Sequence, residues 1–109
     1  ETPEFRFHNS AAYFEDGALL HVHRKVYLPT YGLFDEGRYF ARGDRIRAFD
    51  TRLGRTAVLV CEDLWHPSTV YIATLDGALS VLCPSASPIR GISDDAGRDD
   101  NARFWEDLN

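Results

Sequence analysis

One stretch constrains this chain more than any other: Ala57-Val58-Leu59-Val60, followed at once by Cys61-Glu62-Asp63-Leu64-Trp65-His66-Pro67. Four consecutive small or branched apolar residues predict a strand buried on both faces. The apolar run stops at a thiol followed by two carboxylates and an aromatic, so a cysteine stands where a buried strand ends. In open α/β architectures ligands bind outside the carboxyl ends of strands, which makes Cys61 a candidate nucleophile. The residues alone leave a second reading open. Free cysteine is among the most buried residue types, and Cys61 would serve equally as a small core hydrophobe.

A chain of 109 residues, 44% apolar and 13% aromatic, is enough for one domain with a packed core. Its net charge of -5 offers no basic field to a phosphate backbone, so nucleic acid is not an expected partner. No apolar run approaches the roughly 20 residues that span a bilayer, and no charged-then-apolar leader opens the sequence. The expectation is therefore a soluble, cytoplasmic protein with no membrane partner. Cys61 and Cys83 are too few for a disulfide scaffold, and His21 and His23 share a strand face without a third ligand at useful spacing. Neither a metal nor another cofactor is expected.

Residues 5–14 are aromatic-rich, Glu15-Asp16-Gly17 supplies turn chemistry, and residues 18–26 alternate apolar with polar, which predicts a β-hairpin. On its second strand His21, His23 and Lys25 share one face, and Leu20, Val22 and Arg24 the other. The strand should end at Leu28-Pro29. Residues 30–43 hold three glycines among Tyr31, Phe34, Tyr39 and Phe40, too aromatic for a solvated linker, so this loop should cover something. A short strand over 46–50, a turn at Leu53-Gly54-Arg55 and the buried strand over 56–61 follow. Residues 68–76 place Val70, Ile72, Ala73 and Leu75 on a helical pattern behind a Pro-Ser-Thr cap. Residues 78–84 predict a second buried strand. Strand, helix, strand is a βαβ unit, so the ends carrying Cys61 and Cys83 should share one rim. Residues 89–100 turn polar and acidic, as a loop does, and 102–108 should form a last helix. With no strand after that helix, the chain is expected to be part of a larger fold.

Three elements now stand together: His23-Arg24-Lys25 leading into Leu28-Pro29, Phe34-Asp35-Glu36-Gly37-Arg38-Tyr39-Phe40, and Cys61-Glu62-Asp63 at a strand end. In that order they resemble the carbon-nitrogen hydrolase (nitrilase) superfamily, across essentially the whole chain. The resemblance implies an α/β fold, the αββα sandwich of the nitrilase type with a mixed sheet, of which this chain would be a central and incomplete portion. It also implies a Glu-Lys-Cys triad. Cys61 matches the nucleophile, Lys25 the lysine that stabilises the tetrahedral intermediate, and Glu36 a second, supporting glutamate. Tyr27-Leu28-Pro29-Thr30-Tyr31-Gly32 and Phe34-Asp35-Glu36 look closest to amidase-type members and to glutamine-hydrolysing domains of NAD synthetases.

The chemistry accounts for the residue types. A thiol with a pKa of about 8.5 is a poor nucleophile at neutrality and needs a nearby base or positive charge. A lysine ammonium together with the backbone N–H after Cys61 can hold the oxyanion formed when a thiolate adds to an amide carbonyl. A carboxylate beside the lysine would keep that ammonium charged and oriented. The implied course is a cysteine thioester, released by water, from a small-molecule amide or nitrile. Glu62 and Asp63 are read as hydrogen-bonding scaffolds of the loop after Cys61, Glu62 also reaching the pocket. Tyr31, Trp65, His66 and the turn carrying Ser87 and Arg90 are read as pocket walls, with Arg90 available to a substrate carboxylate. Cys83 suits a core position, because Pro84 offers no N–H there.

One departure matters. The general-base glutamate of the family lies well upstream of the lysine, and Glu1, Glu4 and Glu15 do not match its motif. Two readings from different classes follow: an amide-cleaving thiol hydrolase, with glutamine hydrolysis for a synthetase as its variant, or a catalytically silent module completed by strands from elsewhere. Homo-oligomers are expected, since an open sheet edge invites pairing.

Overall fold

A computed structural model of the chain describes residues 5–86. The expected hairpin forms: β1 (Ser10–Glu15) pairs antiparallel with β2 (Ala18–Arg24). Asp16 and Gly17 both take positive φ, +50° and +80°, the backbone that a two-residue turn needs to match the strand twist. β1 is shorter than the run 5–14 predicts, but pairing reaches back to Asn9, whose carbonyl accepts from the Lys25 N–H at 2.8 Å.

The inward face of β2 is its polar one. His23 and Lys25 are buried and His21 half-buried, while Leu20 and Val22 are exposed. The reason is electrostatic: His23 and Lys25 each meet a carboxylate inside the fold.

The second sheet has the order β3 (Ala48–Thr51), β4 (Gly54–Val58), β5 (Ser80–Leu82). β3 and β4 form an antiparallel hairpin, and β5 runs parallel to β4 with Val58 opposite Leu82. The connection is α2 (Pro67–Leu75), as the strand, helix, strand pattern predicts. Ala57, Val58, Leu59 and Val60 are all buried and form the core with Leu28, Ala48 and Ala73. Each fully buried Val or Leu side chain there stabilises the fold by about 1.5–3 kcal/mol.

Two apolar patterns are corrected. The strand expected over 78–84 is short and exposed, with Leu79 85% accessible, because β5 edges its sheet among the described residues. In α2 the buried residues are Thr69 and Ala73, one turn apart, whereas Ile72 and Leu75 are exposed. Small side chains let this helix lie close to the turn after Cys61, where the Thr69 hydroxyl meets the carbonyls of Asp63 (2.6 Å) and His66 (2.7 Å).

The hairpin docks on the second sheet through Phe49, which stacks on His21 at 4.3 Å and meets the Tyr13 edge at 5.2 Å. Glu15 accepts the Arg52 N–H at 3.1 Å at the same end. One close backbone approach then fixes the lysine strand from its other side. The Gly43 N–H donates to the Lys25 carbonyl at 2.8 Å, and a methyl group on Gly43 would overlap the Arg24 carbonyl oxygen. No helix among the described residues is long and apolar enough to cross a membrane. The acidic stretch 89–100 and the helix expected over 102–108 lie outside the described residues.

Candidate active site

The line of β4 continues through Leu59 and Val60, bonded to the end of β5 by Leu59 N–H to Leu82 carbonyl and to the chain after it by Cys61 N–H to Pro84 carbonyl, both 3.0 Å. The ends bearing Cys61 and Cys83 therefore share a rim. At Cys61 the backbone switches to φ +47° and turns straight into a single 3-10 turn, Cys61–Trp65. A left-handed non-glycine residue costs on the order of 1–3 kcal/mol and persists only where its surroundings enforce it. Here the Asp63 N–H bonds the Val60 carbonyl at 3.0 Å, and the Asp63 carboxylate accepts the Val60 N–H at 3.1 Å. The thiol is thereby lifted out of the strand direction instead of being packed into the core, and it is only half-buried.

Lys25 is 2% exposed, and its Nζ donates to both Glu36 oxygens at 2.9 Å. Glu36 reaches it because residues 30–43 do not run as a plain loop. They contain one helical turn, α1 (Glu36–Tyr39), whose first N–H bonds the Pro29 carbonyl at 3.1 Å. A buried ammonium needs such a partner, since an unpaired one would carry its full desolvation cost.

Asp63 is the most connected side chain of the site. Burial alone raises its carboxyl, but hydrogen bonds from His23 and from the Tyr27 and Val60 N–H groups outweigh that and hold it below its ordinary value. Glu62 points elsewhere. The Tyr31 hydroxyl donates to it at 2.7 Å, and His66 Nε2 lies 3.4 Å from its other oxygen. The bond to Glu62, with burial and the Glu62 and Cys61 charges adding, pushes the Tyr31 phenol up to about 12.

These groups open on one cleft of about 610 Å³, lined by Lys25, Glu36, Cys61, Glu62, Tyr31 and Trp65, with Pro29, Phe34, Val60 and Pro84 as apolar walls. The aromatic loop does cover something: it forms one side of this cleft. His66 is not on the wall. It stacks flat on Tyr27 at 3.6 Å and backs Glu62, because the 3-10 turn aims residue 66 towards the chain after β2. Ser87 and Arg90 lie outside the described residues, so their expected place in the pocket is not described. Cys83 is half-buried, its Sγ 3.5 Å from the Ser85 hydroxyl. Sequence reasoning missed Asn9 and Phe34 on the lining. The hairpin register could have found Asn9, which pairs with Lys25 one step beyond β1. The carboxylates lining the cleft among the described residues are Glu36 and Glu62, and Glu15 is engaged with Arg52 instead. No group of three His, Cys, Asp or Glu suited to a metal ion occurs among the described residues.

Comparison with known proteins decides the family. The carbon-nitrogen hydrolase family model matches residues 1–92. This chain belongs to that family. A family of this kind acts on carbon–nitrogen bonds, and its α/β nitrilase fold is the fold found here. A carbon-nitrogen hydrolase from Helicobacter pylori G27 superposes with a TM-score of 0.83 at 31% identity, over 99% of this chain and 38% of that one. The glutamine-dependent NAD(+) synthetase of Acinetobacter baylyi is 40% identical over 88 residues, which is 81% of this chain and 16% of that relative. A mutant of the amidase from Nesterenkonia sp. AN1, with acrylamide added at its active-site cysteine, matches 71% of this chain and 29% of that one at a TM-score of 0.58 and 31% identity. The chain thus spans a minor part of each of these relatives.

Proposed function

We propose that this chain supplies the nucleophile and oxyanion-binding half of a thiol amidase, and that the amide it serves is the side chain of glutamine. The observation that supports the reaction class is the Cys61 elbow opening on the same cleft as a buried Lys25–Glu36 pair. In this reading the Cys61 thiolate adds to the amide carbon. The oxyanion is held by the Lys25 ammonium and the N–H of Glu62, ammonia leaves, and water releases the acid from the thioester. Glu36 orients the ammonium and does not act as base, because both of its oxygens are engaged by Nζ. In this reading the base for Cys61 and for water is a group other than Glu36. Glutamine is favoured over other amides by the likeness to glutamine-dependent NAD(+) synthetases. In this reading Glu62, which accepts from Tyr31 at the cleft, receives a cationic group such as an α-ammonium. A silent module is the weaker reading, since a strained cysteine has no structural purpose that alanine would not serve.

The test is ammonia release from glutamine and from uncharged amides by the full-length protein and its Cys61→Ala variant. Release from glutamine that vanishes in the variant is expected. Equal release by both proteins, or none by either, contradicts the proposal.

A further inference from the structure

We infer that Asp63 is the positioning residue of this site: one fully buried carboxylate that ties the Lys25 segment to the Cys61 elbow, with His23 as its keyed donor. The inference rests on the function proposed above and goes beyond it, since neither Asp63 nor His23 lines the cleft.

Asp63 has no exposed surface and His23 is 2% exposed. Oδ1 accepts the N–H groups of Val26 (3.0 Å) and Tyr27 (2.8 Å). Oδ2 accepts from His23 Nε2 (2.8 Å) and the Val60 N–H (3.1 Å). Three of these donors flank Lys25 in the chain and the fourth immediately precedes Cys61. The two halves of the oxyanion machinery come from segments 36 residues apart in sequence, counting from Lys25 to Cys61, and this carboxylate bonds both. The Asp63 carbonyl, bonded by the Thr69 hydroxyl at 2.6 Å, brings α2 into the same arrangement. All four acceptor positions of the carboxylate are used. Asparagine has the same shape but would turn an NH2 group against two donors. An ionised carboxylate only accepts, so the hydrogen facing it is on His23 Nε2, which fixes that ring's tautomer.

A shift of about 1 Å in the lysine relative to the thiol is enough to cost on the order of 100-fold in rate. The loss should therefore fall on the chemical step. In the full-length protein, Asp63→Asn and His23→Leu are expected to lower kcat for glutamine hydrolysis by roughly 10–100-fold with KM within about threefold. They should also slow iodoacetamide alkylation of Cys61, measured without substrate. His23→Gln, which keeps an N–H donor on a side chain of similar reach, should recover most of both. If Asp63→Asn fails to fold, the His23 pair decides alone. Folded His23→Leu with wild-type kcat and alkylation rate, a loss confined to KM, or a His23→Gln no better than leucine, would overturn the inference. The underlying function fails differently: the wild-type protein would then release no ammonia from glutamine, or would alkylate Cys61 no faster than Cys83.

Discussion

Removing the Glu36 carboxylate should destabilise this fold more than removing both members of its ion pair. Lys25 Nζ lies 2.9 Å from each Glu36 oxygen, with the lysine 2% and the glutamate side chain 20% exposed. At that separation and an effective dielectric of 20 the attraction is ~6 kcal/mol before desolvation. Breaking a buried pair from one side costs about 3–5 kcal/mol, and the partial exposure of Glu36 places this case near ~3. In Glu36→Ala the ammonium is left among buried groups with its partner gone. Adding Lys25→Met removes that charge and keeps the volume, so the double variant should return to within about 1 kcal/mol of wild type. The coupling between the two sites should then be about 2 kcal/mol or more. Urea unfolding of the four proteins of the cycle measures it, alongside ammonia release, which should be lost in all three variants. A Glu36→Ala protein within about 0.5 kcal/mol of wild type would refute the reasoning, as would single-variant effects that simply add in the double variant.

Glycine carries a left-handed backbone without a Cβ penalty, so Cys61→Gly should be about 1 kcal/mol more stable than Cys61→Ala despite its greater unfolded-state entropy, as thermal unfolding of the two will show. Gly43→Ala places a methyl group against the Arg24 carbonyl and should push the lysine strand away, lowering both stability and ammonia release. The Tyr31 phenol is raised from 10.0 to about 12, so its contribution to stability is whole below pH 10 and is lost as pH rises through about 12; a phenolate absorbance titration should lose its last-ionising tyrosine in Tyr31→Phe. Asp63 is depressed below 3.8, so its contribution is whole above that value and disappears as pH falls through the lower folded one; acid unfolding of Asp63→Asn should show a shallower pH dependence below about pH 4 than wild type.

Much of the site could be read from particular residues. The run Ala57–Val60 fixed a buried strand and its end, because four consecutive apolar residues leave no solvent face. Alternation along β2 placed His23 and Lys25 together, and turn chemistry at Asp16-Gly17 placed the hairpin. What could not be read depended on partners distant in sequence. Alternation separated the face of His21, His23 and Lys25 from that of Leu20, Val22 and Arg24 without saying which is inward, and Asp63 and Glu36, contributed by other segments, turn His23 and Lys25 inward. The single turn of α1 has no apolar period of its own and exists through Glu36 bonding Pro29. In α2 the apolar pattern misled, because close approach to the 3-10 turn selected Thr69 and Ala73 over Ile72 and Leu75. The left-handed Cys61 is enforced locally, by the bonds between Val60 and Asp63, but apolar patterning carries no signal for such bonds.

The central claim is that Cys61, and not merely some thiol of this rim, is the nucleophile that meets glutamine. The most direct measurement is competitive alkylation of the full-length protein by iodoacetamide, read by peptide mass spectrometry at Cys61 and Cys83 with and without glutamine. Cys61 should be labelled faster than Cys83 and protected by glutamine, with Cys83 unaffected. Equal labelling of the two thiols, or labelling of Cys61 that glutamine leaves unchanged, would contradict the account.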